Sequence, residues 1–356
     1  MFNILKNKLN KILTEQQLKN SDVLVVGSGM GALTSAVLLA NKGLKVRIIE
    51  QNWQAGGCTS SYWRKGYVFE AGATTLVGLG KGMPLQYLVD QVGLDLPIRR
   101  LELPMQVQLK NGQILSRYEN LDEWIAEAER VFGNKGQRAF WNECYSISQF
   151  VWKNSLAQLS FPPRRPKDFI QSIKSVSFDQ LVNVKHAFIS IESLLKKHGV
   201  YESEVFRDFV NEQLLITAQN HMSEVNTLFG AAALCYTNYP NYYIDGGLLN
   251  LVNPLINFVK SKGGEVLFRE EVKHIQKEND KYLTTTSKGE YLSEFVISGI
   301  PINNTLEIFE DSKSSQLRSG TLQSKDLNSA FQMGIGFIPH KKFESIHHQI
   351  HLSHPL

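Results

Sequence analysis

The stretch from Asp22 to Glu50 limits what this chain can fold into more than any other. Val23, Leu24, Val25 and Val26 form an unbroken apolar run, as a strand buried on both faces of a parallel sheet requires. Gly27-Ser28-Gly29-Met30-Gly31-Ala32 follows, a G-x-G-x-x-A arrangement with an additional Gly31. Gly27 permits the tight turn out of the strand, Gly29 removes the Cβ that would block a pyrophosphate, and Ala32 is small enough for a helix to pack closely on the strand. A helix is expected over Leu33–Asn41, with Leu33, Ala36, Val37 and Ala40 facing inward and Gly43 ending it in the left-handed conformation. A second apolar strand, Val46–Ile49, closes at Glu50. That acid lies roughly 20 residues beyond Gly29, where a carboxylate accepts hydrogen bonds from ribose hydroxyls and disfavours a 2′-phosphate. A glycine turn alone would say little. Strand, glycines, helix, second strand and terminal acid in this order predict dinucleotide binding by Gly27, Ser28, Gly29, Met30, Gly31, Ala32, Glu50 and Gln51.

Six residues past Glu50 comes Gly56-Gly57, followed by Cys58, Thr59, Ser60 and Ser61. Unblocked backbone N–H groups among hydroxyl side chains suit a diphosphate. Arg64 and Lys65 could neutralise phosphate or form a solvated turn. This tandem glycine, and the Gly66-Tyr67-Val68-Phe69-Glu70-Ala71-Gly72 segment after it, resemble the two-dinucleotide-binding-domain flavoproteins. Within them the chain is similar to the phytoene desaturase, carotenoid isomerase and retinol saturase branch, which usually has Asp where Glu70 stands. The resemblance implies FAD, with Gly56, Gly57, Cys58 and Thr59 beside it. Tyr242-Tyr243-Ile244-Asp245-Gly246-Gly247-Leu248-Leu249-Asn250 resembles the family's return to the FAD domain. Glu271-Val272-Lys273-His274-Ile275 resembles the segment whose Val backbone meets the adenine, here Val272. Phe295-Val296-Ile297-Ser298 resembles the strand that rejoins the sheet.

The implied fold class is α/β: a Rossmann-like FAD-binding domain plus a discontinuous mixed-sheet and helical substrate domain. The expected division is a basic amphipathic segment at 1–20, FAD-binding parts at 21–95 and 241–305, and substrate-domain parts at 96–240 and 306–356. In the substrate region Gln106–Tyr118 alternates around Asn111-Gly112 and reads as a hairpin. Asn120 with Glu123 reads as a capping box for a helix to Phe132. Further helices are expected over Gln137–Leu156, Gln180–Lys197, Val205–Thr217 and Val225–Tyr236, and strands over Gln332–Phe337 and His348–Leu352. Trp141, Phe150, Trp152, Phe206, Phe209 and Phe229 fit either an ordinary aromatic core or an apolar tunnel for a long lipid; only the resemblance favours the tunnel.

The implied activity is FAD-dependent oxidation, reduction or cis–trans isomerisation of a polyene or isoprenoid lipid. The flavin carries the chemistry, so no catalytic side chain is singled out. An amine oxidase-like flavoenzyme is the alternative. Family members run longer and end in a glycine-rich segment that closes the FAD domain. The resemblance therefore also leaves open a truncated, non-catalytic remnant.

The net charge of +4 on 356 residues does not argue for nucleic acid. Charged residues at 20% exclude a disordered polyelectrolyte. Cys58, Cys144 and Cys235 form neither a zinc pattern nor a disulfide framework, so a reducing, cytoplasmic setting is expected. Lys6, Lys8, Lys11 and Lys19 with Leu5, Leu9, Ile12 and Leu13 fit either a foot on an anionic membrane or a helix docked on the protein. Pro162-Pro163-Arg164-Arg165-Pro166 reads as a stiff linker. His347, His348, His351 and His354 lack the acid or Cys that would complete a metal site, and no metal is expected. The oligomeric state is not readable.

Overall fold

The computed structural model describes residues 19–156, 185–309, 321, 323, 330–340 and 343–352. The N-terminal basic segment up to residue 18, the Pro162–Pro166 stretch and His354 lie outside the described residues. The chain forms two compact units. The first comprises Met1–Thr74, Leu88–Pro97 and Ile244–Gly336; the second comprises Thr75–Tyr87, Ile98–Tyr243 and Phe337–Leu356.

In the first unit, β1 (Lys19–Val26) leads into helix α1 (Met30–Asn41), and β2 (Val46–Ile49) returns parallel to β1. A hairpin of β3 (Ser61–Arg64) and β4 (Tyr67–Glu70) follows. The helix α2 (Pro84–Val92) contains the point where the two units divide.

The second unit holds β5 (Ile98–Leu101), β6 (Met105–Gln108) and β7 (Ile114–Arg117), then α3 (Leu121–Phe132), α4 (Gln137–Asn154), α5 (Ile191–Lys197), α6 (Glu204–Thr217) and α7 (Thr227–Leu234). β8 (Asn241–Ile244) pairs with β5. The chain then re-enters the first unit through α8 (Leu249–Ser261), β9 (Glu265–Leu267), β10 (Val272–Glu278), β11 (Lys281–Thr286), β12 (Glu290–Ser298) and α9 (Ile302–Ile308). Finally β13 (His348–Ile350) joins β6 in parallel.

The main sheet of the first unit has the order β10-β11-β12-β1-β2-β9. β1 lies between β12 and β2, parallel to both, so Val23, Leu24, Val25 and Val26 are sealed on both faces. That is why this strand tolerates no polar residue over those four positions. Its polar beginning, Lys19–Ser21, is a strand because Tyr291–Ser293 of β12 supply the ladder.

In the second unit the hairpin turns at Asn111-Gly112, with Gly112 at φ 82°. Asn120 caps α3 by accepting from the Asp122 and Glu123 N–H groups at 2.9 and 3.1 Å. Trp124, Phe140, Trp141, Phe206 and Phe209 are fully buried in one core, with Trp124 edge-on to Trp141 at 4.9 Å. Trp141, Phe206 and Phe209 are thus core side chains; Phe229, 54% exposed, lies outside that core. The core encloses Arg117, whose guanidinium lies over the Trp124 ring at 4.2 Å and donates to Gln213 Oε1 at 3.1 Å. Burial pulls this guanidinium down to about 10.

Some expected boundaries are corrected. α1 begins at Met30, because the unblocked N–H groups after Gly29 already belong to the helix. α4 ends at Asn154, α5 starts only at Ile191, and α7 covers Thr227–Leu234. Gln332–Phe337 forms no strand and has no ladder partner among the described residues.

Candidate functional site

The site is assembled at the carboxyl end of β1, where a parallel sheet exposes ligand-binding loops. Gly27 takes φ 84° to leave the strand, and its N–H donates to the Ile49 carbonyl at 2.8 Å. Gly29 is the N-cap of α1; no side chain caps this end and its first turn holds no acid. The first N–H groups of α1 carry the positive end of the helix dipole. A Cβ built at Gly29 or Gly31 would meet nothing within 4 Å, so open space faces both. This is a cradle of the kind a diphosphate fills.

The second glycine motif is brought onto the first. Gly56 forms a parallel bridge with Gly29, and its N–H donates to the Ser28 carbonyl at 3.0 Å. A Cβ at Gly57 would sit 3.4 Å from the Gly29 Cα. Gly56 and Gly57 take φ 110° and 56°; at Gly56 a side chain would also come within 3.0 Å of Val252 on α8. The following Gly57–Thr59 turn is helical; Cys58 is exposed, and its carbonyl accepts from Ala73 N–H at 2.9 Å. A Cβ at Gly72 would meet that same carbonyl at 3.0 Å.

Glu50 is 6% exposed at the end of β2. Its Oε2 accepts from the Ser28 N–H at 2.9 Å and the Ser28 hydroxyl at 2.5 Å, and its Oε1 from the Asn52 N–H at 2.8 Å. An ionised carboxylate offers about four acceptor positions, so these bonds leave room for about one more hydroxyl. The carboxylate thus also braces the glycine loop, a role that the sequence did not reveal. Gln51 is exposed beside it and Met30 is half-buried.

Behind Glu50 sits a buried polar cluster that sequence reasoning missed. The Glu270 N–H donates to the Glu50 carbonyl at 3.0 Å, and the Arg269 N–H donates to the Asn52 carbonyl at 2.9 Å. The Glu270 carboxylate accepts from Thr286 Oγ1 at 2.6 Å and the Tyr291 hydroxyl at 2.8 Å. Burial, reinforced by Glu270, pushes the Tyr291 phenol up to about 12. Arg47 lies over the Tyr291 ring at 4.7 Å and pairs with Glu265 at 2.9 Å. These bonds hold the chain leading to Val272 beside Glu50, while the Val272 side chain packs with Leu24, Ile49 and Ile275. Only its backbone is left for a ligand.

Two further contacts link distant parts of the chain. A Cβ at Gly299 would lie 2.4 Å from the Ala32 Cβ, so the small residue at the end of the motif packs on the glycine after β12. The N-terminus of α8 is capped by the hairpin: both Glu70 carboxylate oxygens lie 3.3 Å from the Leu248 N–H, and Ser61 Oγ accepts from Leu249 N–H at 3.0 Å. Of the C-terminal histidines, His348 Nε2 contacts the Ser345 carbonyl at 2.8 Å and His351 is buried. Among the described residues no cluster of His, Cys, Asp or Glu could hold a metal ion, and no helix is long and apolar enough to cross a membrane.

A mixed sheet whose β12, β1, β2 and β9 run parallel, with two interlocked glycine motifs at one strand end, is the arrangement of a dinucleotide-binding flavoprotein fold. The profile of the flavin-containing amine oxidoreductases matches residues 33–333; the chain belongs to this family, and its cofactor is FAD. It is 27% identical over 332 residues to the all-trans-retinol 13,14-reductase of Danio rerio, covering 85% of this chain and 51% of that protein. It is 23% identical over 299 residues to a chloroplastic prolycopene isomerase of an Oncidium hybrid cultivar, covering 80% and 49%. The chain thus spans about half the length of these curated relatives. An oxidoreductase from Methanosarcina mazei shares the fold at a TM-score of 0.57 and 18% identity, over 85% of this chain and 65% of that one.

Proposed function

We propose that this chain is an FAD-dependent oxidoreductase of polyene or isoprenoid lipids, changing them by desaturation, saturation or cis–trans isomerisation. The observation that carries the cofactor half of this reading is the Gly29–Gly56 bridge at an uncapped helix N-terminus. The substrate half rests on the relatives, which are named for retinol and prolycopene.

In this reading Gly27, Ser28, Gly29, Met30, Gly31 and Ala32 turn their backbone toward the diphosphate. Glu50 accepts a ribose hydroxyl through the remaining position on Oε1, with Gln51 beside it. Gly56, Gly57, Cys58 and Thr59 line the other side of the diphosphate, and the Val272 backbone meets the adenine. The bound flavin supplies hydride acceptance and donation at its reactive nitrogen. The chain's own residues bind and orient it: the Glu50–Ser28 bonds keep the first loop in shape, and Glu270 keeps the Val272 segment against β2. We propose the first unit as the FAD-binding part and the second as the substrate part, contributing apolar surface.

The test is turnover. The purified chain, supplied with FAD, is incubated separately with retinol, a lycopene-type polyene and a polyamine, with products separated and oxygen consumption recorded. A change in the polyene's double bonds supports the proposal. Oxygen consumption with the amine alone supports the amine oxidase reading. No turnover of any kind by an FAD-loaded chain supports a non-catalytic remnant.

A further inference from the structure

We propose that the Ser28 hydroxyl takes the position on the Glu50 carboxylate that a second ribose hydroxyl of the cofactor would otherwise occupy. Ser28 then sets how this chain reads the adenosine ribose: through one hydroxyl, not two. The proposal rests on the FAD reading above and adds to it a residue that determines cofactor specificity. An ionised carboxylate has about four acceptor positions, about two on each oxygen. On Glu50 Oε2 both are filled by a single residue, through the Ser28 N–H at 2.9 Å and the Ser28 hydroxyl at 2.5 Å. On Oε1 one is filled by the Asn52 N–H at 2.8 Å. The remaining position is on Oε1.

These donors are held in place. Ser28 is fully buried, and among the described residues its hydroxyl donates to Glu50 alone. A hydroxyl that gave up the carboxylate would be left buried without a partner, at the full cost of its desolvation. The Ser28 peptide cannot turn away either, because its carbonyl accepts from the Gly56 N–H at 3.0 Å. The Asn52 peptide is pinned in the same way by the Arg269 N–H at 2.9 Å. The backbone that carries the carboxylate is fixed as well. Glu50 N–H donates to the Leu267 carbonyl at 2.8 Å, and the Glu50 carbonyl accepts from the Glu270 N–H at 3.0 Å.

With Oε2 closed, the two oxygens of the carboxylate cannot share the two neighbouring hydroxyls of a ribose. Hydrogen bonds to an ionised acceptor are the strong ones, so the hydroxyl that reaches Oε1 carries the recognition and its neighbour contributes little. A side chain without a donor at this place in the glycine loop would leave Oε2 open to the second hydroxyl. Ser28 is therefore a positioning residue: its side chain acts on the cofactor through Glu50.

The test is a flavin fluorescence titration of the full chain, freed of bound cofactor, with FAD and with two analogues whose adenosine ribose lacks the 2′- or the 3′-hydroxyl. One analogue is expected to bind at least about tenfold more weakly than FAD, and the other within about threefold of it. In Ser28→Ala the freed position on Oε2 becomes available to the second hydroxyl. The analogue that the unaltered chain tolerates is then expected to bind at least about fivefold more weakly than FAD does to the same variant. A merely structural role for Ser28 would weaken all the ligands by one common factor. Losses of about tenfold with both analogues in the unaltered chain, no loss with either, or a Ser28→Ala variant that keeps the original ratios overturns the proposal. If the variant does not fold, the series on the unaltered chain decides alone. A chain that binds neither FAD nor the analogues contradicts the FAD reading itself, and the proposal falls with it.

Discussion

Replacing Gly299 by Ala places a methyl carbon 2.4 Å from the Ala32 Cβ and 3.1 Å from the Val26 carbonyl oxygen. Carbon atoms pack at about 3.5–4.0 Å, so a gap of more than about 1 Å must open. Neither neighbour yields easily. Ala32 is buried in α1, and the Val26 carbonyl is tied to the Gly299 N–H at 2.8 Å. Overpacking of this kind costs roughly 1–3 kcal/mol. It also displaces the uncapped end of α1 that we propose binds the diphosphate, so FAD affinity falls about tenfold for each 1.4 kcal/mol lost there. Ala32→Gly alone costs up to about 1 kcal/mol in helix propensity, but it removes the colliding methyl. The double variant Ala32→Gly, Gly299→Ala therefore recovers stability, with a coupling of about 1 kcal/mol or more. Urea unfolding of the four proteins gives the cycle, and flavin fluorescence titration gives the affinities. Additive effects within about 0.5 kcal/mol, or a neutral Gly299→Ala, would refute the packing of helix on glycine described above.

Glu70→Gln weakens the cap on α8 by roughly 0.5–1 kcal/mol through loss of charge at the helix N-terminus, read as a lower midpoint in thermal unfolding; an unchanged midpoint would show that the Leu248 contact is idle. Lys65→Gly relieves a left-handed non-glycine residue and stabilises the hairpin, by up to about 1 kcal/mol; a destabilised variant would contradict the turn type. His351 is 6% exposed with Nε2 unpartnered among the described residues, and burial and Lys110 hold its pKa below 6.5 against the pull of Glu212 and Asp208. The folded chain then binds fewer protons than the unfolded one, so this contribution is present above about pH 6.5 and is lost as the pH falls toward the folded value. His351→Phe should flatten the fall in melting temperature between about pH 7.5 and about 5.5; an unaltered slope would exclude the histidine as its source.

Local patterns were legible, and long-range contacts were not. Val46–Ile49 is a strand residue for residue because an apolar run buried on both faces has no other use for its side chains. The Asn111-Gly112 hairpin and the Asn120 cap follow from turn and cap chemistry carried within a few residues. Gln332–Phe337 alternates like a strand, but a strand also needs a partner, and here glycines fitted against aromatic rings take the place of a ladder. The glycines of the site were readable; their mates were not. Ala32 on Gly299, Glu70 on Leu248 and Glu270 on Glu50 join residues far apart in sequence, and no local periodicity carries such a pairing. Ser28 as a ligand of Glu50 was hidden for the same reason.

The visible absorption spectrum of the purified chain, with release and identification of any bound cofactor, tests the central claim most directly. The interlocked Gly29 and Gly56 motifs predict flavin absorption and the release of FAD, either as isolated or after incubation with added FAD. A folded chain that stays colourless in the presence of added FAD would contradict it.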